Sequence, residues 1–207
     1  MNLPSWNLSE FYPSLKDKSV INDIELLKKK VNKFTKNYKG NLNLLRGNKL
    51  VSSIEDYEEI EEISQKLKSY AYLVYCTDQL DKERSKFFQF IEETVLEIYK
   101  DVIFFGIELN KLNEKKISVF KNTKYENWII NHKKFRKFQK SEAIEKLLIE
   151  KSVTSSSAWI RFFDQTMTRL KFKFNGKSLT ETQILGLLSS PKKSVRKDAA
   201  LVFGKTL

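Results

Sequence analysis

One histidine and one cysteine are all that 207 residues hold, and that shortage removes whole classes of chemistry. A zinc hydrolase of the H-E-x-x-H type needs two histidines one helical turn apart, with a glutamate between them to activate water. His132 stands in Asn131-His132-Lys133-Lys134 with no second histidine to complete such a pair. The lone Cys76 excludes an internal disulfide. It suits a reducing interior, so the chain is expected in the cytoplasm. Six glycines and three prolines leave few tight turns, which favours long helices over a sandwich of short strands. The sequence contains no apolar run of roughly 18 residues, the length a membrane-spanning helix needs. Its first residues, Met1-Asn2-Leu3-Pro4-Ser5-Trp6, have neither the basic start nor the apolar block of a signal peptide. Gly-rich phosphate loops and zinc-finger spacings are also missing.

What is present points to a packed helical body. Apolar residues make up 41% of the chain and include 15 Phe, 8 Tyr and 3 Trp, ample for one domain with a core. The net charge of +12 invites a nucleic-acid reading, because clustered lysines release phosphate counterions on binding. Two features argue against it. The cations are mostly Lys, with few Arg for bidentate contacts. Acidic blocks such as Glu55-Asp56-Tyr57-Glu58-Glu59-Ile60-Glu61-Glu62 also interrupt them, so a solvated basic surface is the expectation. A stand-alone basic helical protein that binds nucleic acid or an acidic partner is the alternative, and it requires lysines on one continuous face.

Residues 1–16 read as an irregular strap: Trp6, Leu8, Phe11 and Tyr12 are too apolar for a free tail, and Pro4 and Pro13 oppose a helix. Helical spacing follows over 20–38, with Ile21, Ile24, Leu27, Val31 and Phe34 on one face and Gly40 as the stop. Residues 41–53 read as a loop. A long helix is predicted over 54–76, with Tyr57, Ile60, Leu67, Tyr70, Ala71 and Val74 near one stripe, and another over 82–112. The second half of the latter is apolar almost all round, as in a buried helix, and Gly106 offers a place for another backbone to approach. Shorter helices are expected over 114–121 and 125–138, the latter with Trp128, Ile129, Phe135 and Phe138 towards the core. Ser141 caps a segment to about 151, and a helix over 155–170 gathers Trp159, Phe162, Phe163, Met167 and Leu170. The alternation Leu170-Lys171-Phe172-Lys173-Phe174, then Asn175-Gly176, predicts a tight hairpin. Thr180 and Gln183 have capping-box spacing, and Ser190-Pro191 is expected to open the last helix. The fold class is therefore all-α, a bundle of long antiparallel helices with one small β-hairpin near 170–179. Its organisation is expected as a strap over 1–16, a helical bundle over 17–151, and a helix, hairpin and final helices over 152–207.

No catalytic or metal-binding constellation emerges. Glu108 lies in an apolar helix, where a carboxylate of raised pKa would suit a general base, but pairing with a lysine is the expectation. Asp164 is expected to pair with Arg161 or Thr168 on its own helix, or to hold a neighbouring segment in place. Cys76 lacks a histidine partner and reads as a buried structural thiol.

Several stretches, in order, resemble the N-terminal region of the oligoendopeptidase F family of zinc metallopeptidases, relatives of thimet oligopeptidase. They are Leu3-Pro4-Ser5-Trp6-Asn7-Leu8-Ser9 with Tyr12-Pro13; Ser69-Tyr70-Ala71-Tyr72-Leu73 with Thr77-Asp78; and Phe104-Phe105 with Glu108-Leu109-Asn110. Ser152-Val153-Thr154 with Ala158-Trp159 and Phe163-Asp164 is the most specific. The hairpin into Leu179-Thr180, and Ser190-Pro191 with Val195-Arg196, complete the set.

The resemblance implies a non-catalytic wall of a deep cleft that admits short unfolded peptides. It also implies a C-terminal catalytic domain, or a separate C-terminal half, as partner. Zinc would belong to the complete enzyme and not to this chain, which ends before the family's H-E-x-x-H helix and is expected to be inactive alone. Within that reading Ser155, Ser156, Ser157 and Arg161 are candidates to line the channel or the domain interface, although Ser155 also suits a simple helix cap. The chain is read either as a separate N-terminal half or as a truncated remnant, and the first form predicts an exposed apolar patch around the final helix and the strap, larger than a typical monomer shows. No membrane is implied, and nucleic acid is not the expected partner.

Overall fold

A computed structural model describes residues 6–207; the Leu3-Pro4-Ser5 part of the strap lies outside the described residues. The body is built on three helices, α1 (Lys18–Tyr38), α2 (Asn48–Thr77) and α3 (Lys82–Tyr99). Each begins for a local reason. Asp17 accepts from the Ser19 N–H and Asp81 from the Arg84 N–H, satisfying donors that a first turn leaves open. Gly47, at a φ of 52°, turns the chain into α2, a conformation that glycine adopts without strain. Helix α2 thus starts six residues earlier than the periodicity predicts, because Leu50 is buried as well. The stripe on α1 is also rotated slightly: Val20 is buried and Ile21 exposed.

The long helix expected over 82–112 is broken. A 3₁₀ turn at Lys100–Val102 separates α3 from α4 (Ile103–Lys111), and Phe104 and Phe105 at the start of α4 pack onto α1. Phe34 then meets Tyr38, Phe105 and Phe104 at ring-centre distances of 4.8, 5.1 and 5.8 Å, and Tyr57 stacks on Phe105 at 4.9 Å. Aromatic pairs at such distances add to the burial itself. Tyr57, Tyr99 and Glu61 form a hydrogen-bonded chain beside this junction, which gives the buried phenols partners. Gly106 accommodates the His132 ring rather than a backbone: a Cβ there would lie 3.2 Å from His132 Cε1.

Short elements then close one side: α5 (Glu114–Ile117), α6 (Glu126–Lys134), α7 (Glu142–Thr154) and α8 (Ser156–Arg169). Ser141 caps α7 as expected, accepting from the Ile144 N–H. Phe135 and Phe138, expected in the core, are 66% and 63% exposed. The chain leaves α6 through a 3₁₀ turn, whose three-residue repeat takes both rings off the buried face.

The last stretch carries its own small core. Strands β1 (Phe172–Phe174) and β2 (Lys177–Leu179) pair antiparallel, Phe172 opposite Leu179. Asn175 and Gly176 have φ of 48° and 76°, the left-handed pair that a type I′ turn requires. Thr180 and Gln183 form the predicted capping box of α9 (Glu181–Leu187). Phe172, Phe174, Ile184 and Ala199 are buried together, and Phe203 stacks on Phe172 at 5.4 Å. The final helix α10 (Lys193–Thr206) opens at Lys193. Pro191 precedes it by two residues instead of occupying its first position. The structure is thus an all-α bundle with one small hairpin, as the sequence predicts. Among the described residues no helix is long and apolar enough to cross a membrane.

The described part of the strap has an exposed ion pair, Lys16 to Glu83 at 2.7 Å, and a more buried polar anchor at Tyr12. Tyr12 is buried, and its hydroxyl donates to Asp23 at 2.7 Å, where Lys66 also donates at 2.9 Å. Burial alone would raise the Asp23 pKa, but the Lys66 and Tyr12 bonds prevail and hold it below the ordinary value. A carboxyl group with a depressed folded pKa stabilises the fold above its unfolded value, about pH 4, and loses that contribution as pH falls. Asp23→Asn is therefore expected to flatten the acid limb of stability between about pH 5 and 3, read from denaturant midpoints across that range. An unchanged acid limb would dismiss the role given to this carboxylate.

Candidate functional site: an outward apolar face on α8

Helix α8 has two stripes. Trp159, Phe162, Phe163 and Thr166 follow the spacing that places side chains on one face, and Arg161, Asp164, Gln165 and Thr168 follow the same spacing on another. In an ordinary amphipathic helix the apolar stripe meets the core. Here the polar stripe does. Arg161 donates to Glu92 of α3 at 2.8 Å, and both side chains are largely covered. Thr168 donates to the Gln79 side chain at 2.5 Å, in the turn between α2 and α3. Asp164 and Gln165 face the Tyr75 phenol, whose pKa is raised first by burial and then by the Asp164 carboxylate.

The apolar stripe is left facing outward. Trp159, Phe162 and Phe163 are 70%, 64% and 62% exposed, with the Trp159 and Phe162 rings edge to face at 6.0 Å. Ile160 on α8 and Leu147 and Leu148 on α7 are exposed too, and neither helix contains a fully buried side chain. Single exposed apolar residues are ordinary on a protein surface, but a cluster of large ones marks an interaction site. Trp6, Leu201 on α10 and the terminal Leu207 are likewise exposed. The concentration of aromatic surface is nevertheless on α8.

The residues singled out from sequence fall around this face. Ser155 joins α7 to α8, with φ and ψ of −110° and −98° and no capping bond from its side chain. Its hydroxyl donates back to the Lys151 carbonyl at 2.7 Å, and that of Ser156 to the Ser152 carbonyl at 3.4 Å. Ser155 and Ser156 are exposed and Ser157 is half-buried, beside the start of the apolar stripe. Arg161 points the other way, into its ion pair. Asp164 takes no part in that pair; the Thr168 hydroxyl lies 2.8 Å from its backbone carbonyl. Glu108 also departs from expectation. Rather than meeting a lysine, it accepts from the Gly40 N–H at 2.7 Å and the Leu42 N–H at 3.3 Å, fixing the connection between α1 and α2. Cys76 is half-buried, beside Tyr72.

The chain's own groups do not fit a zinc site. Among the described residues no three His, Cys, Asp or Glu side chains come together, and His132 Nε2 is engaged with the Gly106 carbonyl at 3.1 Å. Comparison with known proteins agrees with the sequence resemblance. Residues 108–172 match the family model described as oligopeptidase F, in its N-terminal region. That segment runs from within α4 to the first residue of β1 and contains α7 and α8 entire. The match supports a non-catalytic N-terminal part of a peptidase of this type. No curated protein and no solved structure matches the chain.

Replacing Trp159, Phe162 and Phe163 together by Ser is expected to leave the unfolding free energy within about 0.5 kcal/mol, as for surface positions, while sharply lowering the fluorescence of a hydrophobic dye. Arg161→Ala, which strands Glu92 against α3, should cost about 1–2 kcal/mol. Equilibrium denaturation of both variants checks the assignment of inner and outer faces; a triple-serine variant as damaged as R161A would reverse it.

Proposed function

We propose that this chain is the non-catalytic, channel-framing part of an oligopeptidase F-type peptidase, and that α8 packs against the catalytic part. The observation that carries the reading is the outward stripe of Trp159, Phe162 and Phe163, held in place by a polar inner face. A helix docked by Arg161 and Thr168 with three aromatic rings in water is suited to a partner that covers them. The family match spans the same helix, so the face and the resemblance coincide. Aromatic side chains in a desolvated centre dominate interface energetics, and a ring of polar groups around them excludes water. Ser155, Ser156 and Ser157, beside the start of the stripe, would contribute to such a rim or to the peptide channel.

In the complete enzyme, zinc held by the catalytic part would supply the activated water and polarise the peptide carbonyl. This chain would hold no metal; its residues would frame the path by which a short peptide reaches the centre. The half-buried thiol of Cys76 supports the cytoplasm as the compartment.

The experiment is reconstitution. The chain, mixed with an H-E-x-x-H-bearing catalytic part of an oligopeptidase F-type peptidase, is expected to co-elute with it and to raise cleavage of a quenched fluorescent peptide. Replacing Trp159, Phe162 and Phe163 by Ser should weaken both readouts at least tenfold, as expected for central aromatic anchors. Separate elution and unchanged cleavage with the unmodified chain would remove the proposal.

A further inference from the structure

Away from α8, the connection between α6 and α7 carries aromatic rings that the fold does not use. Phe135 and Phe138 have core spacing, yet they lie 66% and 63% exposed. A 3₁₀ turn runs through Phe135–Phe138, and its three-residue repeat points side chains i and i+3 the same way. Both rings accordingly border one shallow depression of about 260 Å³, which Ile103 and Ile107 also line. Between Glu126 and Glu142 the sequence holds five cations, Lys133, Lys134, Arg136, Lys137 and Lys140, and no acidic residue. The two rings therefore project from the middle of a one-signed stretch.

Most of this charge is uncommitted. Lys133 is engaged by the Leu112 carbonyl at 2.8 Å and by Glu114 at 3.7 Å. Lys134 donates to the Asn131 side chain at 2.9 Å. Lys134, Arg136, Lys137 and Lys140 enter no ion pair among the described residues. The carboxylates at the start of α7 are taken: Glu142 meets Lys39 at 2.7 Å and Lys146 at 3.2 Å, and Glu145 accepts from the Lys140 backbone N–H at 2.8 Å. An occupant must offer negative charge over a broad area and a place out of water for two adjacent rings. An anionic bilayer surface offers both, since headgroups attract the cations while the rings enter the boundary between headgroups and acyl chains. Single-stranded nucleic acid also supplies the charge, but it uses aromatic rings as stacking platforms. The Lys137 ammonium already lies over the Phe138 ring at 4.9 Å, so that platform is partly taken.

We infer that the turn from Lys134 to Lys140 docks on an anionic lipid surface. Phe135 and Phe138 enter the interfacial layer, and Lys134, Arg136, Lys137 and Lys140 lie against the headgroups. Either signal alone gives marginal, reversible binding, and the two together give an anchor. Such a contact is peripheral and needs no spanning helix. It uses no residue of α8 and no catalytic partner, so it stands or falls separately from the docking proposal.

Co-sedimentation of the full chain with vesicles of phosphatidylcholine, alone or with about 30% phosphatidylserine, tests it. Saturable binding to the mixed vesicles is expected, at least about tenfold tighter than to the neutral ones and weakened as salt rises from about 0.1 M to 0.5 M. Phe135→Ser with Phe138→Ser should lower the affinity about tenfold. Lys134→Gln, Arg136→Gln, Lys137→Gln and Lys140→Gln together should lower it by at least as much. All six side chains are exposed, so unfolding midpoints should stay where they are. The added emission of Phe135→Trp should be quenched by bromines on the acyl chains, which attraction to headgroups alone would not produce. Binding indifferent to phosphatidylserine, or to loss of both rings, would overturn the inference. So would vesicle binding that disappears with Trp159, Phe162 and Phe163 but survives without Phe135 and Phe138. An oligouridylate that binds more tightly than the mixed vesicles, and needs the same two rings, would make nucleic acid the partner and overturn it as well.

Discussion

The 2.8 Å contact between Arg161 and Glu92 decides which side of α8 meets the body, and the orientation of that helix governs everything said about partners. A carboxylate on α3 that is largely shielded from water needs a cation with hydrogen bonds to give, and losing that cation would leave it stranded. Thr168 and Gln79 add a second polar tie along the helix. With the polar stripe so engaged, the rings of Trp159, Phe162 and Phe163 have only the outside left. The cost of this arrangement in water is the exposure of three large aromatic side chains, and a covering partner would offset it.

The rest of the molecule gives α8 a rigid base. Phe34, Tyr57, Phe104 and Phe105 lock α1, α2 and α4 together, and Glu108 ties the turn after α1 to α4 through two backbone N–H groups. The 3₁₀ turn at Lys100–Val102 lies directly before Phe104 and Phe105. The second small core, around Phe172 and Phe203, follows directly on α8 and is capped at α9 by Thr180 and Gln183.

The large apolar side chains left uncovered on α8 are the feature on which the proposed docking rests. Aromatic rings in water call for a broad desolvated contact. The oligopeptidase F-type match covers the helix that carries them.

The sequence by itself determined every element whose cause is local. The Asn175-Gly176 hairpin, the Thr180–Gln183 capping box, the Ser141 cap and the stop at Gly40 follow from backbone preferences and bonds within a few residues, so spacing alone reveals them. It also determined that His132 has no second histidine with which to hold a metal in the H-E-x-x-H manner. The rest depended on residues far apart in the chain. Periodicity showed that α8 has an apolar and a polar stripe, yet which one faces inward rests on Glu92, 69 residues from Arg161. Phe135 and Phe138 had core spacing, but the 3₁₀ turn that carries them outward changes the period itself. The 3₁₀ turn before α4, Glu108's reach to the Gly40 turn and the unpaired oxygen of Asn110 likewise arise only when separate segments pack. Local bonds are written in neighbouring letters, whereas the facing of a helix and the satisfaction of a buried group are decided by whatever the fold brings against them.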